Sequence, residues 1–180
     1  MAIFDKNFRE MFSFQIVSII GGMIAGTLLA VYTDKLLLIP GMLILLPGFL
    51  EMRGNISGSF ASRLSSGLFL GIIKPDNFKT KIIKGNLSAS FFLAIFASFI
   101  LGLVAFLSTF FILHTFTLKI IFLPLIAGII ANAIEIPLTL FITFYLFRRG
   151  HDPNNIMGPF VTSTGDITSI LSLLITLVII

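Results

Sequence analysis

Apolar residues run almost unbroken through five stretches of the chain, near residues 12–32, 36–73, 87–113, 120–147 and 155–180, and polar positions gather in the short intervals between them. None of these runs alternates with period two. Each is about as long as, or longer than, the roughly 20 residues a helix needs to cross a bilayer's hydrocarbon core. Backbone groups in lipid must be satisfied within their own segment. The pattern therefore predicts an all-α membrane protein, five transmembrane helices in a single transmembrane domain spanning 1–180. Ahead of the first run, residues 1–11 are mixed in charge with apolar Ile3, Phe4, Phe8 and Met11, which predicts a short interfacial helix on the cytoplasmic side.

The second run departs from the others. As one helix, residues 36–73 would extend about 57 Å, nearly twice the hydrocarbon thickness. Pro40 and Pro47 interrupt it, and Pro47-Gly-Phe-Leu-Glu-Met-Arg-Gly-Asn-Ile-Ser-Gly-Ser-Phe-Ala-Ser-Arg63 carries charge and glycine to membrane depth. Such residues survive there only against protein or water, so an interrupted second helix is expected, broken at Glu51 to Asn55. In the first run, Gly22-Met-Ile-Ala-Gly26 has the small-xxx-small spacing of a helix-packing face. The third run, rich in Phe, Leu and Ile, is expected to face lipid.

Three polar stripes cross these runs. Asn55, Ser59, Ser62 and Ser66 fall within roughly 60° of arc on a helix, with Arg63 at the edge, which reads as a hydrated surface rather than a packing face. Asn132, Glu135, Thr139 and Thr143 share about 80° of the fourth helix. Glu135 is either protonated, paired with a cation such as Arg63, or part of an ion path. In the last run Pro159, Thr162, Asp166 and Ser169 share a face, and Asp166 lies about 16 Å along the helix from Asn155, near the midplane. Gly158-Pro159 is expected to break the helical ladder and free carbonyl oxygens.

With 57% hydrophobic and 11% charged residues, the chain lies far from soluble domains, which carry about 25% charged residues. Its mean hydropathy is +1.09. The absence of cysteine excludes disulfides, thiolate nucleophiles, zinc–thiolate sites and iron–sulfur clusters. The net charge of +4 sits at the span borders rather than on one patch, which excludes nucleic acid as a partner. Lys6, Arg9, Lys74, Lys79, Lys81, Lys84, Arg148 and Arg149 fall on one side, against Lys35 and Lys119 on the other. The bias predicts a multi-pass protein with its N-terminus cytoplasmic and its C-terminus outside.

No Ser-His-Asp set, phosphate loop or His cluster accompanies the carboxylates. Oxygen-rich linings suit hard cations, Mg2+ first, with Mn2+ and Ca2+ as further candidates, and Mg2+ keeps its waters where only one or two carboxylates reach it. No cofactor is expected. A twofold dimer would double the lining and set two copies of Asp166 across an axis. Two other classes stand beside divalent-cation transport: a membrane assembly or structural subunit whose stripes are packing faces, and an intramembrane enzyme using Asp166 or Glu135 as acid or base.

Pro47 through Arg63 resembles the second-helix signature of the MgtE-type magnesium transporters and solute carrier family 41. Asp152-Pro153-Asn154-Asn155 followed by Pro159, Thr162 and Asp166 resembles their fifth-helix signature. The resemblance covers the chain in layout and these two motifs in detail. It implies a five-helix unit that works in pairs, with the pore between second and fifth helices and no enzymatic activity. It also implies that Asp166 is the carboxylate meeting hydrated Mg2+, with Gly54, Asn55 and the Pro159–Thr162 segment lining the pore. Some relatives fuse two copies of the unit, so a single copy implies a homodimer in the cell membrane. The cytoplasmic helical and CBS domains of many bacterial relatives have no counterpart in these residues, and gating by them is not expected. Glu51 and Arg53 stand where bacterial relatives carry less charge. The family holds both channel-like and sodium-coupled members.

Overall fold

The computed structural model describes residues 5–180, and among them every regular element is a helix: α1 Lys6–Leu36, α2 Met42–Phe69, α3 Lys81–Leu113, α4 Lys119–Arg148 and α5 Pro153–Ile179. Four of them, α1, α3, α4 and α5, are long and apolar enough to cross a membrane. The fifth, α2, carries the charges that set the second run apart.

Local chemistry fixes the helix starts. The side chains of Asp5, Thr80 and Asp152 accept hydrogen bonds from the backbone N–H groups of Phe8, Ile83 and Asn154, satisfying donors that the first turns leave orphaned. Pro153 then occupies the first turn of α5, where its missing N–H costs nothing. The connection between α1 and α2 turns at Gly41, which has φ of +84° and sits so close to Thr109 and Ile120 that a Cβ would collide with both.

Two expectations about α1 and α2 are corrected. The helix that starts at Lys6 continues without a break to Leu36, so no separate interfacial helix exists within the described part of residues 1–11; Ile3 and Phe4 lie outside the described residues. The second helix is not interrupted at Glu51 to Asn55, because α2 is helical throughout Met42–Phe69. The overlong apolar run is divided differently. Its first residue ends α1, Pro40 and Gly41 make the turn, and Gly71 and the residues after it form the loop to α3. Pro47 lies early in α2, and Gly54 and Gly58 cost only about 1 kcal/mol each in a helix interior, which tertiary packing on the buried side of α2 offsets.

The bundle is built around α2, α4 and α5, which pack on one another; α3 lies across α2 and α4, and α1 along α5. The inner face of α3 consists of small residues, Ser90, Ala94, Ser98, Gly102, Ala105 and Thr109. A Cβ on Gly102 would strike the Ile121 backbone of α4, so the two helices approach to backbone contact. Phe92, Phe96 and Phe111 of α3 point outward. In α1 the packing residues are Gly21 and Ala25, with Gly21 against Ser163 of α5; Gly22 and Gly26 are exposed with open space beside them. The small-xxx-small face is real but shifted by one residue.

Of three apolar clusters, one joins Ala61, Leu146, Ile156, Met157 and Val161, and the other two plug the bundle. One, at the α1–α2 turn, includes Met42, Leu45, Phe49, Ile120, Leu123, Ala127 and Leu173. The other, at the opposite end, includes Phe60, Leu64, Leu68, Ile136, Leu140 and Phe144. Between Phe49 and Phe60 on α2, and between Ala127 and Ile136 on α4, lies a polar layer.

Candidate functional site

The polar layer centres on Arg53, which α2 delivers into the bundle with no solvent exposure. Its Nη1 lies 3.9 Å from Glu135 Oε2 on α4, and its Nη2 lies 3.7 Å from Asp166 Oδ1 on α5. Its Nε donates to the Ser169 hydroxyl. The guanidinium rests on Gly165, where any Cβ would overlap it, so α5 admits a large cation only because it offers a glycine there. One cation and two carboxylates from three helices thus meet at one depth. A charge buried alone would be far more costly than this arrangement.

The two carboxylates differ in access. Glu135 is fully buried and accepts hydrogen bonds from Thr168 Oγ1 at 3.0 Å and Thr164 Oγ1 at 3.5 Å. Asp166 keeps 27% of its side chain exposed. It faces a cavity of about 350 Å³ between α2 and α5, lined by Pro47, Leu50, Glu51, Arg53, Gly54, Asn55, Gly58, Gly158, Val161 and Thr162 besides itself. Asn55 Nδ2 donates to Glu51 Oε1 at 3.1 Å, one turn apart. Among the described residues no three His, Cys, Asp or Glu side chains converge to hold a bare metal ion. What the cavity offers is two carboxylates, an amide, a hydroxyl and the edge of Arg53 around a space wide enough for water. A larger apolar cavity of about 710 Å³, lined by Leu28, Tyr32, Leu174 and Val178 among others, carries no carboxylate.

Of the residues singled out from sequence, Asp166, Asn55, Thr162 and Gly54 line this cavity together. Pro159 does not, and α5 runs through it unbroken: the Gly158 and Pro159 carbonyls accept from Thr162 and Ser163 hydroxyls at 3.0 Å each. Ser59 continues the exposed face of α2 beyond the cavity. Ser169 is buried and serves Arg53, while Asn132 is buried on α4 and donates to its own Gly128 carbonyl at 2.8 Å. Arg63 reaches Ser90 of α3 at 3.0 Å. The cation beside Glu135 is Arg53, ten residues earlier in the chain than the one expected from sequence.

Thr164, Gly165 and Thr168 were not legible as site residues, and Glu51 and Arg53 were marked only as part of the expected break, although depth arithmetic points to Arg53. Counting about 1.5 Å per residue from the start of α2, Arg53 lies about 16 Å in and Arg63 about 31 Å in, close to the far end. Only Arg53 matches the depth of Glu135 and Asp166.

Among curated proteins none matches the sequence. The model of one family, described as MgtE, divalent cation transporter, matches residues 46–176, from the first turns of α2 almost to the end of α5. That match spans well over half of the chain and contains every residue of the Arg53 layer, and the chain belongs to the MgtE family of divalent cation transporters.

Proposed function

We propose that the chain carries Mg2+, still largely hydrated, along the cavity between α2 and α5, and that two copies enclose the path. The observation that carries this reading is Asp166: a carboxylate at the level of the polar layer, open to a water-sized space and accompanied by Glu51 and Asn55. Magnesium gives up water reluctantly, so a lining that reaches it through one or two carboxylates suits it better than a closed cage. Glu51, Asn55, Ser59, Ser62 and Ser66 all lie on the exposed face of α2. Polar side chains at membrane depth need protein or water beside them, and a second copy placed on this face supplies both.

Lys6 Nζ donates to the Gly150 carbonyl at 2.6 Å, and Arg148 Nε donates to the Pro75 carbonyl at 2.8 Å. The start of α1, the α2–α3 loop and the α4–α5 turn therefore share one end of the bundle, together with most of the basic residues. That clustering supports a cytoplasmic N-terminus and an outer C-terminus in a cell-membrane, multi-pass chain.

The test is uptake of Mg2+, Mn2+ and Ca2+ in turn into proteoliposomes, with and without a sodium gradient. Flux that disappears in Asp166→Ala supports the reading. Undiminished flux in that variant would overturn the role of Asp166, and absence of divalent flux in the wild type would favour an assembly subunit. The cysteine-free sequence makes Ser59→Cys a clean probe of pairing, because a crosslink between copies places the α2 faces together.

A further inference from the structure

We propose that Arg53 is a tethered counter-cation of the Asp166 cavity, a fixed positive charge that weakens divalent-ion binding there and so speeds release. This rests on the reading of that cavity as the ion's route. Three observations carry it.

The first is how Arg53 is held. Its Nε donates to Ser169, but its Nη1 and Nη2 have no hydrogen-bond partner among the described residues, and their carboxylate neighbours stand at 3.9 and 3.7 Å. A guanidinium used purely as a brace takes carboxylates in a bidentate fork at about 2.7–2.9 Å. Here the attraction is Coulombic, without that fork.

The second is the unequal access of its partners. Glu135 is sealed inside and hydrogen-bonded by Thr168 and Thr164, so it stays with Arg53 whatever occupies the cavity. Asp166 is open to the cavity, which Arg53 also lines. Arg53 therefore has one permanent partner and one that an incoming cation can take. Glu135 is a positioning residue, keeping the guanidinium compensated while Asp166 turns to the ion.

The third is the charge count. With its carboxylates ionised, Glu51, Glu135 and Asp166 against Arg53 leave the layer at −2, which one divalent ion neutralises and one monovalent ion does not. Without Arg53 the same layer would stand at −3. Conduction requires binding favourable enough to enter and weak enough to leave, and a like charge a few ångströms from the ion moves the balance toward leaving.

The experiment uses the purified full-length chain, with Mn2+ binding followed by the loss of its free-ion paramagnetic resonance signal, and Mn2+ uptake measured in proteoliposomes. Arg53→Gln is expected to bind Mn2+ at least about tenfold more tightly, by simple Coulomb arithmetic. Its uptake should saturate at lower Mn2+ with a lower maximal rate. Because Arg53→Gln leaves the buried Glu135 without its cation and so destabilises the fold, Arg53→Gln with Glu135→Gln is the second variant. Replacing a buried ion pair by neutral groups is often tolerated. The layer's sum stays at −2, but Asp166 loses the guanidinium 3.7 Å away while the removed Glu135 charge lies on the sealed side, so this variant should still bind several-fold more tightly than wild type. Arg53→Lys should stay within about threefold of wild type. A merely structural arginine predicts weaker binding or none, never tighter. Unchanged or weaker binding in the folded double variant would overturn the proposal, as would a double variant that cannot be recovered folded. Wild type that neither binds nor carries Mn2+ would overturn the reading of the cavity itself. Wild-type flux that is lost in Asp166→Ala, together with untightened Arg53 variants, would sink only the role of Arg53.

Discussion

Two buried glutamates show how differently this bundle uses charge. Glu10, at the basic end of the bundle, is 9% exposed and saturated: it meets His151 Nδ1 at 2.8 Å, Asn155 Nδ2 at 3.2 Å and the Asp152 N–H at 3.4 Å, with Lys6 Nζ at 3.8 Å. Those contacts tie α1 to the α4–α5 turn and occupy both carboxylate oxygens, although open clefts of about 570 and 320 Å³ adjoin the cluster. Glu135, in the middle, belongs to a layer in which two guanidinium nitrogens, Nη1 and Nη2 of Arg53, have no hydrogen-bond partner among the described residues and whose second carboxylate opens on a cavity. A saturated cluster contributes stability, whereas an unsaturated one beside water is arranged for something that comes and goes.

The sharpest way to break this contrast is Asp166→Ala. Divalent uptake into proteoliposomes should fall about 100-fold or more, equivalent to roughly 2.7 kcal/mol in rate terms, while Glu10→Gln should leave uptake within about twofold. Equal losses in the two variants would erase the distinction. On stability rather than flux the largest effect belongs to Glu135→Ala, which strands a buried guanidinium and should cost about 3–5 kcal/mol, read as a lowered thermal midpoint in detergent. Adding Arg53→Met to it should recover most of that loss. Gly165→Ala pushes a methyl group into the guanidinium and should cost about 1–3 kcal/mol, with a change in Mn2+ affinity that distant overpacking would not produce. The smallest effect belongs to His151→Ala. Losing one hydrogen bond at the edge of the Glu10 cluster should cost about 1 kcal/mol, with uptake unchanged.

The sequence disclosed these two regions unequally. Five helices were legible because lipid imposes long apolar runs, and the connections lie where the polar residues cluster. Asp166 was legible because a carboxylate so deep in a span is too expensive to be accidental. Composition misled at α2, where charge and glycine looked like a break. A helix tolerates both when one face is packed and the other faces a cavity. The Gly21 register was missed by one position because Gly21-Gly22 offers two adjacent small-residue ladders, and only the partner helix decides between them. Arg53 was passed over for Arg63 because the turn at Gly41, which sets the depth of every later residue in α2, is fixed by contacts with Thr109 and Ile120 that lie far along the chain.

The exposed polar face of α2 also bears on how the protein is made. Four of the described helices are long and apolar enough to cross a membrane, and α2 is not among them. Among the described residues its buried Arg53 finds its partners on α4 and α5, which emerge from the ribosome later. Insertion of α2 therefore depends on segments not yet synthesised when it leaves the tunnel, and glycosylation mapping of chains ending at Leu113 should find it misplaced more often than in full-length chains. On this expectation the charge that sets α2 apart from its neighbours also makes it the last helix to settle in the membrane.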